Sequence, residues 1–465
     1  MIKNVSAKNR DVYMKPVCIF SKKLIVVVLL LISGIDLSAQ RATSAHVILI
    51  SIDGLRPEFY LDKKWPAPNI RELKDRGVYA NGIHSVFPSV TYPSHTSIIT
   101  GANPGKHGVY YNAPVGSKNG AWYWESSYIR VPTLWDAVRD AGKTSGSVMW
   151  PVSVGAPVNY NFPVKRADEN ESGNQLEITR PLITPANLLD QLENETGRLS
   201  GADFNTSNTI DITIGKMSAG IFKKYKPNLL TIHFVTADHL QHELGREGPG
   251  VQHSVALIDS MIGVIMRTVK EAGLERTTTF IITGDHGFVN TDYNFSPNVL
   301  LEKHGLHRQE SGLFFQSTGG SSFLYASASG KDSGVTTVKK LLSNLSVDER
   351  KAFRLIDRDE LDKAGVNPEV VLALSMNNGY AANNAAKGAI ITKKKHGGTH
   401  GHFPDFAEIS TGFVAAGAGI SGSGRVGGDG KEILMGVIDI APLVAHLLGL
   451  SFRAPDGRLI TGIID

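Results

Sequence analysis

Five apolar runs of strand length, separated by segments with helical patterns, restrict this chain to an α/β fold. The runs lie at 46–52, 145–150, 229–235, 278–282 and 410–416. The first is apolar almost throughout, as expected for a strand of a parallel sheet that is covered on both faces. Helical patterns follow at 68–77, 131–142, 211–225, 250–272 and 437–448. This alternation predicts a largely parallel central sheet with helices on both faces.

The first 39 residues differ from the rest of the chain in charge and hydropathy. They hold six of the 48 Lys and Arg but two of the 44 Asp and Glu, so residues 40–465 carry 42 of each. Lys22 and Lys23 precede an apolar stretch that is short for a membrane span, and small residues follow it. We therefore predict a signal peptide at 1–39, a secreted or periplasmic protein and no stable membrane insertion after cleavage. An uncleaved anchor is the alternative.

The remainder is formally neutral, which argues against binding to nucleic-acid duplexes. The chain has one cysteine, Cys18, so that no disulfide is expected after cleavage. Residues 161–210 are polar, and we expect mostly loops there. Short β and α patterns are mixed between 300 and 395. We predict an inserted smaller α+β subdomain at 300–395, with 40–299 and 396–465 forming the main domain.

Six carboxylate and imidazole side chains follow the apolar runs or lie just before the last one: Asp53, Asp238, His242, Asp285, His286 and His400. Because ligands bind at the carboxyl ends of strands in open α/β sheets, we expect these side chains at one sheet edge. Imidazoles with carboxylates suit zinc, and three protein ligands per ion leave positions open for substrate. The set predicts two divalent ions of the kind that assist in-line displacement.

Each of these residues also has a purely structural explanation. Asp53 and Asp238 can cap helices. Asp285 and His286 can form a plain turn, and His400 can be exposed to solvent. The metal site is favoured because the structural explanation requires four independent coincidences.

The candidate nucleophile is Thr91, which directly precedes Tyr92 and a predicted helix that runs to Gly101. A hydroxyl at this place lies near the positive end of the helix, and a bound metal would promote loss of its proton. A helix cap is the structural alternative, and the two roles are compatible. Asn112 lies 21 residues later and can donate its amide to a phosphoryl oxygen or serve as a turn residue.

These motifs resemble the alkaline phosphatase superfamily and, within it, the ectonucleotide pyrophosphatase/phosphodiesterase family. The similarity runs from about residue 46 to about residue 460. It is carried by DG after the first run, TYPSH at Thr91, the four-residue spacing from Asp238 to His242, DHG at Asp285, and GTHG at His400. The resemblance implies an alkaline phosphatase-like fold and a phosphodiesterase or nucleotide pyrophosphatase that works through a phosphothreonine.

The resemblance also implies a role for each site residue. Two zinc ions are implied, one held by Asp238, His242 and His400 and the other by Asp53, Asp285, His286 and Thr91. Asn112 takes the phosphoryl-binding position. Tyr92 lies where the family places an aromatic ring against a nucleobase, and Tyr160 is expected on the other side of the base. The chain departs from the family at Gln241 and Val152, which both replace glycine.

Two neighbouring basic residues bear on the class of substrate. Phosphomonoesterases of this threonine type resemble one another in a Lys-x-Arg pair that reaches the phosphate. This chain has adjacent Lys165 and Arg166, soon followed by acids, which favours a nucleotide or another small phosphodiester. A phosphomonoesterase or a phosphonate hydrolase is the alternative. A non-catalytic binding protein is disfavoured because no ligand and no nucleophile is missing.

Overall fold

In a computed structural model of the chain, the described residues are 43–117, 121–206, 209–307, 312–327, 331–426 and 435–464. The predicted signal peptide at 1–39 lies outside these ranges. Within them, no helix combines the length and the apolar character needed to cross a membrane.

The strands of the described residues, numbered β1 to β15, are His46–Ile52, Val78–Tyr79, Ser145–Val148, Tyr160–Phe162, Leu229–Phe234, Thr278–Gly284, Val289–Phe295, Phe314–Ser317, Ser321–Tyr325, Phe353–Ile356, Leu372–Met376, Gly379–Ala382, Ile391–Thr399, Phe413–Gly417 and Gly424–Arg425. The α-helices of the same ranges, numbered α1 to α15, are Glu58–Leu61, Pro68–Asp75, Thr91–Thr100, Pro104–His107, Leu134–Asp140, Gln175–Thr179, Leu188–Thr196, Ile210–Tyr225, Thr236–Leu244, Pro249–Glu271, Pro297–Lys303, Lys331–Ser343, Val347–Arg350, Arg358–Lys363 and Ile440–Leu448.

Eight strands form the central sheet, in the order β15-β2-β14-β6-β1-β5-β3-β4. The five from β6 to β4 run parallel to one another. All five predicted runs are strands of this sheet, which confirms the predicted fold class. The last run, β14, is antiparallel to its neighbour β6, a direction that an apolar pattern does not encode.

Helices cover both faces of the sheet. Ile48 and Ile50 of β1 belong to one apolar core, which is completed by α8 and α10. Val47 and Leu49, which point to the opposite face, belong to a second core with α3, α5 and α15. Successive side chains of a strand alternate between faces, so β1 is apolar throughout because both of its faces are buried.

Two smaller sheets lie outside the central one. An antiparallel sheet in the order β10-β11-β9-β8 has its own apolar core with α12. A second sheet joins β12, β7 and β13. Strand β7 pairs with β13, and the predicted boundary at 395/396 falls inside β13. This sheet therefore joins the two predicted parts of the main domain, 40–299 and 396–465. The division into domains stays a prediction.

The segment 161–210 differs from its prediction. It contains two short helices, α6 and α7, where loops were expected. Asn174 and Glu177 form a capping box at the start of α6. This polar pairing at a helix start was the available sequence signal.

Candidate active site

The carboxyl ends of β1, β5 and β6 lie side by side. Ile52, at the end of β1, lies opposite Phe234 of β5 and Gly284 of β6. The candidate ligands that come after these three strand ends are Asp53, then Asp238 and His242 on α9, then Asp285 and His286. His400 directly follows β13, and its side chain lies beside Asp238 at these strand ends.

One half of the cluster is centred on His286. Its Nε2 atom lies 3.3 Å from Asp53 Oδ1 and 3.2 Å from Asp285 Oδ2. The ring of His286 also stacks on the ring of His400 at a centroid distance of 3.6 Å. The two halves of the cluster therefore touch.

The other half is centred on His400. Its Nε2 atom lies 3.4 Å from Asp238 Oδ1 and 3.1 Å from His242 Nε2. Asp238, His242 and His400 each offer one ligand atom within 4.8 Å of the others, and so do Asp53, Asp238 and His286. All six predicted ligands are thus in one place, with Asp238 near both halves.

Hydrogen bonds of the three histidines leave the Nε2 atoms free to bind a metal. In each ring Nδ1 donates to a backbone carbonyl oxygen: His242 to Gly398 (3.1 Å), His286 to Gly287 (3.0 Å) and His400 to Ser89 (3.1 Å). An imidazole that donates through Nδ1 and is neutral carries a lone pair on Nε2. Burial lowers the pKa of His286 to about 4, which favours this neutral form.

The carboxylates of the cluster have oxygen atoms that lack hydrogen-bond donors. Asp53 Oδ1, Asp238 Oδ1 and Asp285 Oδ2 are buried oxygens that accept no hydrogen bond within the described residues. Burial, followed by the charges of Asp238 and Asp285, raises the pKa of Asp53 well above its ordinary value, and burial raises that of Asp285 to about 7. Divalent cations would reverse both effects. The donor set therefore fits metal ions, and imidazole with carboxylate suits zinc.

Thr91 is the first residue of α3, and its side chain lines a cavity of about 310 Å³ next to the cluster. Asp53, Asp238, His242 and His400 line the same cavity. Thr91 is therefore placed beside the ligands, at the electropositive end of a ten-residue helix.

Asn112 also lines this cavity, and its orientation is fixed by the backbone. Its Oδ1 atom accepts a hydrogen bond from the N–H group of Tyr92 at 2.9 Å. Because the oxygen faces that N–H group, the side-chain amide remains as the donor that a ligand can use.

Aromatic residues that the sequence analysis missed form the cavity wall. Trp122 and Trp124 line the cavity together with Tyr92, and the two indole rings lie nearly parallel, 5.7 Å apart. Tyr160 is placed elsewhere: its ring stacks on Tyr225 at 3.9 Å and is not among the lining residues. The wall beside Tyr92 is therefore made of tryptophans rather than Tyr160, and the sequence WYW was the available signal.

Two further lining residues were not predicted as part of the site. His233 of β5 lies with Nε2 3.3 Å from Asp53 Oδ2 and Nδ1 3.2 Å from the carbonyl oxygen of Met149. A histidine inside an otherwise apolar strand was its signal. Arg166 lines the cavity as well, from the loop after β4.

A second cavity of about 320 Å³ borders the same site. It shares Asn112, Trp122, His242 and His400 with the first cavity. Its remaining wall includes Gln316 and Ser317 at the end of β8, and Thr318 and Gly319 in the loop that leads to β9. The two cavities therefore meet at the candidate ligands.

The two departures from the family pattern have visible structural effects. Gln241 is buried, and its Nε2 atom donates to the carbonyl oxygen of Gly54 at 3.0 Å, which ties α9 to the turn that carries Asp53. Val152 has a φ of 57°, a left-handed conformation that favours glycine. A branched residue there carries a strain of roughly 1–2 kcal/mol.

The chain is similar to a known protein family. A family model described as type I phosphodiesterase / nucleotide pyrophosphatase matches residues 47–403, most of the chain. The chain belongs to this family. The resemblance read from the sequence motifs is thereby confirmed.

Several named proteins of the ectonucleotide pyrophosphatase/phosphodiesterase group are similar in sequence. Rat family member 3 is 27% identical over 259 residues, which cover 53% of this chain and 25% of that protein. Human family member 5 is 24% identical over 253 residues, which cover 52% and 44%. An uncharacterized pyrophosphatase/phosphodiesterase of Schizosaccharomyces pombe is 25% identical over 309 residues, which cover 63% and 56%. The matched region thus spans between a quarter and somewhat over half of these relatives.

Solved structures of ectonucleotide pyrophosphatase/phosphodiesterase 5 share the fold. The human protein superposes with a TM-score of 0.62 at 19% identity, covering 89% of this chain and 97% of that one. An inactive form of the murine protein, in complex with AMP, gives a TM-score of 0.63 at 19% identity, with the same coverage. At this identity the likeness shows the fold, which is the predicted one.

Proposed function

We propose that the protein is a metal-dependent hydrolase of phosphodiester and phosphoanhydride bonds that acts on nucleotides or related small molecules outside the cytoplasm. The observation that carries the proposal is that six candidate ligands form one cluster, and that four of them line one cavity together with Thr91. Family membership supports the reaction class. The AMP complex of a protein with the same fold supports a nucleotide as the substrate.

Two divalent ions, with zinc as the best match to the donors, would complete the site. Asp238, His242 and His400 would hold one ion. The other would be held by Asp53, Asp285, His286 and the Thr91 hydroxyl. When bound, the ions supply Lewis-acid stabilisation of the negative charge on the phosphoryl group.

Thr91 is the proposed nucleophile. After loss of its proton, Oγ1 forms a bond to phosphorus while the bond to the leaving alcohol or phosphate breaks, which gives a phosphothreonine. Water then cleaves the phosphothreonine and restores the hydroxyl. Asn112 contributes by donating its side-chain amide to a non-bridging oxygen of the phosphoryl group.

The two cavities favour a substrate with two substituents on phosphorus. Because both cavities border Asn112, His242 and His400, a phosphoryl group bound between them can extend one substituent into each. The first cavity offers Tyr92 and Trp122 as aromatic surfaces against which a nucleobase can pack. A phosphomonoester would leave one cavity unused.

Turnover of two chromogenic substrates tests the proposal. With zinc present, we expect faster hydrolysis of p-nitrophenyl thymidine monophosphate than of p-nitrophenyl phosphate, loss of activity with a chelator, and recovery when zinc is restored. Faster hydrolysis of the second substrate would indicate a phosphomonoesterase instead. A zinc-loaded protein that hydrolyses neither would contradict the proposal.

The same assay on Thr91→Ala tests the nucleophile. We expect kcat to fall at least about 1,000-fold, because the nucleophile is removed. The metal content should not change, because the six other candidate ligands remain. Thr96→Ala is the matched control, since Thr96 lies on the same helix, donates to the carbonyl oxygen of Tyr92 at 2.8 Å and is not among the lining residues. Equal turnover by the two variants would disprove the assignment.

A further inference from the structure

We propose that Arg166 binds a phosphate charge beyond the single negative charge of a simple phosphodiester, and so favours substrates that carry one. This charge can belong to the second phosphate of a phosphoanhydride or to the dianionic phosphoryl group of a monoester. The inference rests on the proposed function, because it assigns the substrate preference of the same site.

The charge of the cavity wall is the first observation. Among the residues that line the 310 Å³ cavity, Arg166 is the one with a permanently positive side chain. Asp53 and Asp238 are the acids of that wall, and both are candidate metal ligands. Once metal ions occupy those carboxylates, Arg166 is the protein cation that a bound anion meets in the cavity.

The second observation is that Arg166 has no partner, whereas its neighbour has one. Lys165 Nζ lies 2.7 Å from Glu171 Oε1 and is not among the lining residues. The guanidinium of Arg166 is exposed and makes neither a hydrogen bond nor an ion pair with any described residue. The adjacent basic residues therefore do not act as a pair, and Arg166 alone is available to a ligand.

The position of Arg166 relative to the nucleophile is the third observation. Arg166 lines the same cavity as Thr91, Tyr92 and Asn112. Tyr92 directly follows Thr91, and its N–H group holds Asn112. Arg166 is thus near the residues that are proposed to bind the phosphoryl group.

The chemistry of the guanidinium suits a phosphate ligand. Its planar fork of N–H groups can bind two phosphate oxygens at once, an interaction that is stronger than a neutral hydrogen bond. Loss of a hydrogen bond to a charged group corresponds to about 10- to 100-fold in affinity. A monoanionic diester that already uses its two free oxygens elsewhere in the site gains less from Arg166 than a ligand with an additional charge.

Calorimetric binding of orthophosphate to the zinc-loaded protein is the primary test. We expect Arg166→Ala to bind orthophosphate about 10- to 100-fold more weakly than the wild type. Lys165→Ala is the matched control, because it removes the same charge from the neighbouring position outside the cavity, and it should bind like the wild type. Arg166→Lys should restore part of the affinity, since it keeps the charge without the planar fork.

Kinetics then separate the two sources of the additional charge. Arg166→Ala should lower kcat/KM about 10- to 100-fold for p-nitrophenyl phosphate, for ADP, or for both, and less than about threefold for p-nitrophenyl thymidine monophosphate. A loss confined to ADP assigns the second phosphate, and a loss confined to the monoester assigns the transferred phosphoryl group.

Three results would overturn the inference: no binding of orthophosphate by the wild type, equal binding by the wild type and Arg166→Ala, or an equal loss of turnover with all three substrates. A wild type that binds orthophosphate through Arg166 but hydrolyses none of the substrates would instead refute the proposed function and leave the anion site standing.

Discussion

At the scale of single residues, His107 shows how burial fixes a protonation state outside the site. The side chain is buried, its Nδ1 atom accepts from the N–H group of Val109 at 3.1 Å, and its Nε2 atom lies 3.0 Å from Ser97 Oγ. The ring is therefore neutral, with Nε2 as a donor. Burial lowers the pKa of His107 to about 3.

This state makes stability depend on pH. An unfolded histidine has a pKa near 6.5, so between about pH 6.5 and pH 3 the unfolded chain binds a proton that the folded chain does not. His107 then contributes stability that is present above about pH 6.5 and is lost as the pH falls, by up to about 1.4 kcal/mol per pH unit. We expect His107→Asn to have a smaller fall in unfolding free energy between pH 7 and pH 5 than the wild type.

Denaturant unfolding of both proteins at the two pH values measures this difference, with chelator present so that metal release does not contribute. His253→Asn replaces an exposed histidine and should keep the wild-type dependence. The assignment would fail if His107→Asn and the wild type lost equal stability.

At the scale of elements, two buried aspartates hold the starts of other helices. Asp211 of α8 accepts from the N–H groups of Val235 and Thr236, at the start of α9, at 2.9 Å and 3.0 Å. Asp259 of α10 accepts in the same way from the second and third residues of α2 at 3.1 Å and 2.9 Å. The two caps are alike, but α9 alone carries candidate metal ligands.

This difference gives a matched pair of variants. Asp211→Ala and Asp259→Ala should each lower the free energy of unfolding by about 1–3 kcal/mol, because buried N–H groups lose their partners. Asp211→Ala should also weaken zinc binding, measured by competition with a chromophoric chelator, since α9 positions Asp238 and His242. Equal zinc affinity in the two variants would show that the start of α9 does not position these ligands.

The elements also show how far sequence reasoning reaches. Asp53 and Asp238 were predictable because they follow apolar runs, and a strand end fixes which sheet edge they share. The direction of β14 and the place of Tyr160 were not predictable in this way. The first depends on the path of the chain, and the second on the ring of Tyr225, 65 residues away. Trp122 and Arg166 lie in loops, whose positions are set by packing rather than by periodicity.

At the scale of the whole molecule, the ligand cluster joins segments from residue 53 to residue 400. Ions that bind such a site bind the folded chain alone, so they add to its stability by mass action, by about 4 kcal/mol at a thousandfold excess over the dissociation constant. We expect a chelator to lower the thermal midpoint and zinc to restore it. Calorimetry with and without chelator measures the shift.

The variant His400→Ala should lose most of this response to zinc. The control is His396→Ala. His396 lies four residues before His400, but its side chain is exposed and pairs with Asp292 at 2.8 Å. A thermal midpoint that is the same with and without chelator in the wild type would contradict the prediction.

The ligands of the cluster are synthesised in an order that separates the three acids from His400. Asp53, Asp238 and Asp285 leave the ribosome well before His400, and β14, which borders β6, comes later still. A growing polypeptide therefore contains all three acids before the last imidazole of the cluster exists. If β1, β5 and β6 pair in the interval between the emergence of residue 285 and that of residue 400, the three acids come together without the imidazole of His400.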